Sequence, residues 1–137
     1  AYAGKYPDSV AALVLLAPVI APEAEPYFWF NPVLNTRSAR WLLPQFIDVA
    51  NQEKLQHAAA LRQTTPYWEQ IEVPVYHLHC EDDWIAPFTA NTGWSEAMLP
   101  VGQLELITWE GDSHFLPGRI KGRVDSVFRV LAEPTIK

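Results

Sequence analysis

The stretch SVAALVLLAPVI (residues 9–20) is an almost unbroken apolar run with prolines close to both ends. A β-strand buried on both faces has this composition, and such strands belong to parallel sheets covered by helices. Two further apolar runs follow, VPVYHLHC and QLELITW, the first of which begins at a proline that a strand start tolerates. We expect three strands, over about residues 10–18, 74–80 and 103–108.

Helical patterns alternate with the second and third strands. Pro87 suits the first turn of a helix over about 88–98, and a second helix is expected over about 119–132. Strands alternating with helices imply parallel pairing through right-handed crossovers, so the predicted fold class is α/β with three parallel strands. The last helix has an apolar stripe formed by Ile120, Val124, Val127, Val130 and Leu131.

The segment from about 21 to 70 is longer than a plain crossover helix requires. It is rich in proline and aromatic residues and includes ANQEKLQHAAALRQ (50–63), which predicts a helix. We interpret the segment as a cap or lid insertion that shapes a pocket. Its aromatic residues are expected to be core, with some lining the pocket: Tyr27, Phe28, Trp29, Phe30 and Trp41.

The run at 9–20 has the composition of a central strand, yet no candidate neighbour lies on its far side. Three parallel strands alone would leave a long apolar edge exposed. We therefore expect residues 1–137 to be the C-terminal part of a single, larger α/β domain.

Charge and cysteine content exclude several classes of function. The net charge is −6, from 10 basic and 16 acidic residues without a basic cluster, which argues against binding nucleic acid or an anionic membrane. No apolar run is long enough for a transmembrane helix, and no signal peptide is recognisable. The single Cys80 fits a reducing, cytoplasmic compartment. The sequence does not determine an oligomeric state.

Two ionisable residues follow consecutive strands. Asp83 comes after the second strand, and His114 comes after the third, in TWEGDSHFLPG. The carboxyl ends of adjacent parallel strands meet at one edge of a sheet, where open α/β sheets place their chemistry. An imidazole oriented by a carboxylate is a general base suited to neutral pH. The neighbouring Trp84 and Phe115 are the best candidates for pocket walls that contact substrate.

Structural interpretations of the same residues stay open. Asp83 would also serve as a helix cap, and His114 as a packed loop histidine. Glu81 and Asp82 are expected to be solvated or capping. The motif HLHC (77–80) raises the possibility of a metal site, but no further ligand set is in view, so buried packing is favoured.

Three motifs in order resemble the C-terminal half of an α/β-hydrolase-fold enzyme: YPDSVAALVLLAPV, YWEQIEVPVYHLHCEDDWIAP and LELITWEGDSHFL. The resemblance implies that Asp83 is the catalytic acid, followed by Pro87, and that His114 is the base after Gly111. It covers most of the chain outside the insertion. One departure is that Cys80 stands where the family usually has glycine, which puts the conformation of this turn in question.

The resemblance also implies a nucleophile on a Gly-x-Ser-x-Gly turn, which none of the five serines provides. The implied function is cleavage of a small ester or related acyl substrate by a Ser-His-Asp triad, with the nucleophile upstream and no metal or organic cofactor. This chain alone is then expected to be inactive. Two alternatives remain: an aspartate nucleophile, as in dehalogenases and epoxide hydrolases, and a non-catalytic binding module of the same fold.

Overall fold

A computed structural model describes residues 1–24, 28–111 and 121–132. The strands are β1 (Leu13–Leu16), β2 (Val75–Cys80) and β3 (Leu104–Trp109). The helices are α1 (Tyr2–Lys5), α2 (Asn31–Leu34), α3 (Arg37–Leu42), α4 (Gln45–Thr64), α5 (Phe88–Met98) and α6 (Lys121–Ala132), with short 3-10 turns at Pro7–Ser9 and Thr65–Tyr67.

The three strands form one parallel sheet in the order β1-β2-β3, which confirms the predicted α/β class. Strand β2 is central and pairs with both neighbours, with Val75 aligned with Leu13 on one side and with Leu104 on the other. The predicted helix over 88–98 matches α5. The predicted last helix corresponds to α6, although Ile120 lies outside the described residues.

Side chains alternate between two apolar layers, one on each face of the sheet. One layer packs Val75 against Trp68 and Leu99, together with the partly buried Trp94 and Met98 of α5. The other layer packs the side chains on the opposite face of β2 against α6. Its buried members are Leu78, Cys80, Trp109 and Val127. The sheet is therefore covered by a helix on each face, as parallel sheets require.

Strand β1 is less buried than its composition predicts. Its four residues are half-buried or exposed, and Leu16 keeps 44% of its surface in contact with solvent. The reason is position, because β1 is the edge strand and its second edge meets no other strand among the described residues. The expected apolar edge is thus present in this part of the chain.

The insertion between β1 and β2 is helical, and polar contacts join its helices. The buried Asn31 side chain donates to Asn51 Oδ1 (2.8 Å), and the Asn51 amide donates back to the Asn31 carbonyl (3.2 Å). The Arg40 guanidinium forms a two-pronged ion pair with Asp48, at 2.8 and 3.0 Å. These contacts link α4 to α2 and α3 without requiring an apolar core between them.

The expectation that the insertion's aromatic residues are core is wrong for the four that the structure describes, because all of them are exposed. Trp29 is 83% exposed and Trp41 is 85% exposed, while Phe28 and Phe30 stack on each other at a ring distance of 5.3 Å and also remain partly exposed. The cause is that asparagine and ion-pair contacts join the helices, so their apolar side chains are not needed to hold them together. Tyr27 lies outside the described residues.

Two glycines in helices should respond oppositely to substitution by alanine. A Cβ at Gly4 would stand 1.9 Å from the Tyr67 carbonyl oxygen, whereas a Cβ at Gly93 would meet nothing within 4 Å. Gly4→Ala should lower the free energy of unfolding by roughly 1–3 kcal/mol, because α1 must move off the turn it packs against. Gly93→Ala should raise it by up to about 1 kcal/mol through helix propensity. Urea denaturation measures both, and equal shifts would contradict the close approach at Gly4.

Candidate active site

The carboxyl ends of the three strands lie along one edge of the sheet, and helix α5 ties two of them together. The buried Asn91 side chain accepts hydrogen bonds from the backbone of Ile20 (2.8 Å) and Ala21 (3.0 Å), in the loop after β1. Within the same loop Ala17 has φ +43°, a left-handed backbone that costs a non-glycine residue about 1 kcal/mol or more. Asn91 of α5 therefore fixes the conformation of the loop after β1.

Asp83 is buried and organises the turn that follows β2. Its Oδ1 accepts backbone hydrogen bonds from Ile85 and Ala86, both at 2.9 Å, and its own amide donates to the Cys80 carbonyl at 3.2 Å. The alternative prediction was that Asp83 caps α5. Its carboxylate caps the turn before Pro87 and not the helix itself. This arrangement commits one oxygen of Asp83 to the turn.

The second oxygen of Asp83 faces a histidine of β2. Its Oδ2 lies 3.5 Å from His79 Nε2, and both side chains are fully buried. The same His79 nitrogen lies 2.8 Å from the Ala86 carbonyl oxygen. The buried carboxylate is therefore surrounded by polar groups, as burial of a charge requires.

Cys80 does not distort the turn that follows β2. Its side chain is completely buried beside Leu78 and Trp109, in the apolar layer that faces α6. Among the described residues that are not glycine, only Ala17 has a positive φ, so the position of Cys80 does not need glycine's conformational freedom. Cys80 is thus accommodated as a core residue at the end of a strand.

Asp82 and Glu81 have a role that sequence reasoning missed. Both are exposed, as expected, but each bonds to the end of β3. Asp82 Oδ2 accepts from the Gly111 amide at 2.8 Å, and Glu81 Oε1 accepts from the Thr108 hydroxyl at 2.8 Å. These contacts fix the end of β3, including Gly111 with its positive φ of 84°, beside the turn that carries Asp83. The consecutive acidic residues EDD were the available signal.

Of the other predicted site residues, the structure describes Trp84 but not His114 or Phe115. Trp84, next to Asp83, is 67% exposed, so it lies at the surface of this edge and its role as a pocket wall remains a prediction. His114 and Phe115 lie outside the described residues, as does the predicted contact between His114 and Asp83. In the chain segments that are described, no three His, Cys, Asp or Glu side chains group as metal ligands would.

The histidines of HLHC are buried, as predicted, and both point to the α5 side of the sheet. His77 Nδ1 lies 2.9 Å from the Ser95 hydroxyl oxygen, and His77 Nε2 lies 2.9 Å from His79 Nδ1. Burial, followed by electrostatic repulsion from His79, lowers the pKa of His77 to about 4. His77 is therefore neutral at physiological pH.

The comparison with solved structures identifies the fold. The chain superimposes on a monoacylglycerol lipase from Paleococcus ferrophilus with a TM-score of 0.62 and 17% sequence identity. The match covers 95% of this chain and 62% of the lipase chain. No family model matches the sequence, and no curated protein does.

The chain therefore has an α/β fold similar to that of this lipase, with three parallel strands and flanking helices. It spans less than two thirds of the lipase that it resembles. Over the residues described, no helix combines the length and apolar content needed to cross a bilayer.

The low pKa of His77 predicts a loss of stability in mild acid. Between the ordinary histidine pKa of 6.5 and about 4, the unfolded chain binds a proton that the folded chain refuses, so stability falls as pH falls through this window. By pH 4.5 the loss should be roughly 2–3 kcal/mol. Urea denaturation at pH 7 and 4.5 should show it in the native chain and not in His77→Gln, which keeps a donor and an acceptor but does not titrate. Identical pH dependence in the two proteins would contradict the assignment.

Proposed function

We propose that this chain supplies the acid and the base of a serine hydrolase that cleaves small esters or related acyl compounds. Asp83 is the acid, His114 is the base, and the nucleophile lies on a segment outside these 137 residues. The observation that carries the proposal is the buried Asp83 at the carboxyl end of the central parallel strand, with Gly111 of the neighbouring strand bonded to the adjacent Asp82. His114 follows Gly111 by three positions in the sequence.

The roles follow from the chemistry of acyl transfer. A serine hydroxyl becomes an effective nucleophile when imidazole takes its proton, and a carboxylate bonded to imidazole Nδ1–H fixes the tautomer and stabilises the imidazolium that forms. Because the acid turn uses Asp83 Oδ1 for two backbone amides, Oδ2 is the oxygen assigned to His114. The edge of the sheet where Asp83 lies is where such folds bind their substrates.

The insertion is proposed as a cap over this edge, with part of its apolar surface facing substrate. The likeness to a lipase supports an acyl substrate of low polarity, although at this identity it is the fold that is shared. The buried Ser95 is not a candidate nucleophile, because it has no exposed surface and bonds to His77. The remaining serines lack the glycines of a nucleophile turn.

The first test uses the 137-residue chain alone. It should show no saturable, histidine-dependent hydrolysis of a short activated ester, because without a nucleophile and oxyanion donors the base has no hydroxyl to activate. The control is the same chain carrying His114→Ala, which should give the same background rate. Saturable turnover lost in His114→Ala would mean that a nucleophile lies within these residues.

The second test uses a protein in which the adjoining upstream segment is present. Asp83→Asn should reduce kcat/KM by about 10⁴-fold, the loss caused by the same change in the serine-protease triad, since asparagine offers imidazole the wrong partner. Its Oδ1 can still accept from the turn amides, so the turn after β2 should keep its backbone hydrogen bonds.

Asp82→Asn is the matched control for that test. It keeps an acceptor for the Gly111 amide and should retain most of the activity. Equal, small effects from both substitutions would assign the acid elsewhere. The upstream sequence itself separates the alternatives: Gly-x-Ser-x-Gly supports a serine nucleophile, Gly-x-Asp-x-Gly an aspartate, and neither a binding module.

A further inference from the structure

A continuous chain of buried polar groups runs beneath the acid turn. It starts at Ser95 on α5, passes through His77 and His79 on β2, and ends at the Ala86 carbonyl. Its three successive distances are 2.9, 2.9 and 2.8 Å, and all four residues are fully buried. The proposed hydrolytic roles do not use these side chains. A buried polar chain of this length is costly unless every member is bonded, so its arrangement is strongly constrained.

The proton count along this chain has two solutions. The Ser95 hydroxyl has one proton and lies 2.9 Å from both His77 Nδ1 and the Thr92 carbonyl oxygen. If the proton goes to Thr92, each imidazole must donate from Nδ1. His79 would then need a second proton at Nε2 to bond the Ala86 carbonyl, which makes it a fully buried cation 3.5 Å from the Asp83 carboxylate.

The other solution needs no charge. The Ser95 hydroxyl donates to His77 Nδ1, His77 Nε2–H donates to His79 Nδ1, and His79 Nε2–H donates to the Ala86 carbonyl. The Thr92 carbonyl loses nothing, because a carbonyl inside an α-helix accepts a backbone amide four residues later. Every nitrogen of both rings is then bonded and both rings are neutral. We infer this direction because it adds no cation to the interior, where the cost of desolvating a charge can exceed its attraction to a neighbouring carboxylate such as Asp83.

The end of the relay is the peptide that Asp83 also holds. Ala86 donates its amide to Asp83 Oδ1 at 2.9 Å, while its carbonyl accepts from His79 at 2.8 Å. His79 Nε2 lies 3.5 Å from Asp83 Oδ2. The turn from 83 to 86 is thus held at one end by its own carboxylate and at the other by a ring whose orientation is set by α5.

We propose that Ser95, His77 and His79 are positioning residues for Asp83: a one-directional hydrogen-bond relay that holds His79 in its Nε2–H tautomer and so fixes the acid turn. The inference rests on the proposed function only in naming Asp83 as the catalytic acid. The relay and its effect on the turn can be measured without any hydrolytic activity.

The test is nuclear magnetic resonance on the full 137-residue chain with ¹⁵N-labelled histidine. At neutral pH both His77 and His79 should show a protonated Nε2 and an unprotonated Nδ1. Ser95→Ala removes the first donor and should give mixed tautomers. Thr92→Val is the matched control: its hydroxyl donates to the Phe88 carbonyl on the same helix, outside the relay, so the tautomers should be unchanged.

The positioning effect is read from amide hydrogen exchange. In Ser95→Ala and His79→Leu, the Ile85 and Ala86 amides should exchange about tenfold faster relative to the Leu78 amide, as expected for the loss of one hydrogen bond. His79→Gln, which keeps a donor near Nε2, should restore much of the protection. If His79→Leu fails to fold, Ser95→Ala still decides the question.

Two results would overturn the proposal: an Nδ1–H tautomer or a doubly protonated His79 in the native chain, or unchanged exchange at Ile85 and Ala86 in Ser95→Ala. Failure of the hydrolase assignment gives a different pattern. The tautomers and exchange rates would follow the relay, while Asp83→Asn would leave the activity of the longer protein intact.

Discussion

Strand β2 has a parallel partner on each side and a helix over each face, so all its side chains except that of the half-buried Tyr76 are buried. That constraint decides what the strand can carry. On the α6 side it carries Leu78 and Cys80, which pack in the apolar layer with Trp109 and Val127. On the α5 side it carries two histidines, whose polar nitrogens must find partners within the protein.

The same constraint locates the candidate site. The first position after β2 at which a carboxylate is both buried and connected to polar groups is Asp83, and the turn it organises leads directly into α5. Helix α5 then reaches back to the loop after β1 through Asn91 and to the interior of β2 through Ser95. One helix thus fixes the strand ends on one side of the site and the histidines beneath it.

Much of the fold follows from local pattern. Apolar runs bounded by proline and glycine predicted three parallel strands, and the three- and four-residue spacing of apolar residues predicted α5 to its observed ends. The composition of β1 predicted a buried strand, whereas the lack of a candidate neighbour on its far side predicted the exposed edge that the structure shows. The exposure of Trp29 and Trp41 was missed since aromatic content alone does not reveal that Asn31, Asn51 and an ion pair join the insertion helices.

The site was predictable to a similar depth. The position of Asp83 after a buried strand signalled its placement at the sheet edge, and the pairing of His77 and His79 on one face follows from the two-residue period of a strand. Two features of the site could be seen only in the three-dimensional structure. The first is the bond from Asp82 to Gly111, which joins residues 29 positions apart. The second is the contact between His77 and Ser95, which depends on how α5 packs on the sheet.

The buried histidines also bear on how the chain selects its fold. Strands rich in Val and Leu specify their alignment only weakly, because a shift in register replaces one aliphatic contact with a similar one. A shift of β2 by one residue would turn His77 and His79 toward the apolar layer beneath α6, away from Ser95 and Ala86. Each imidazole would then lose its hydrogen-bond partners in a site without water. An aliphatic side chain at the same position would not incur this cost in free energy. The two histidines therefore favour the observed register of β2 over the neighbouring registers.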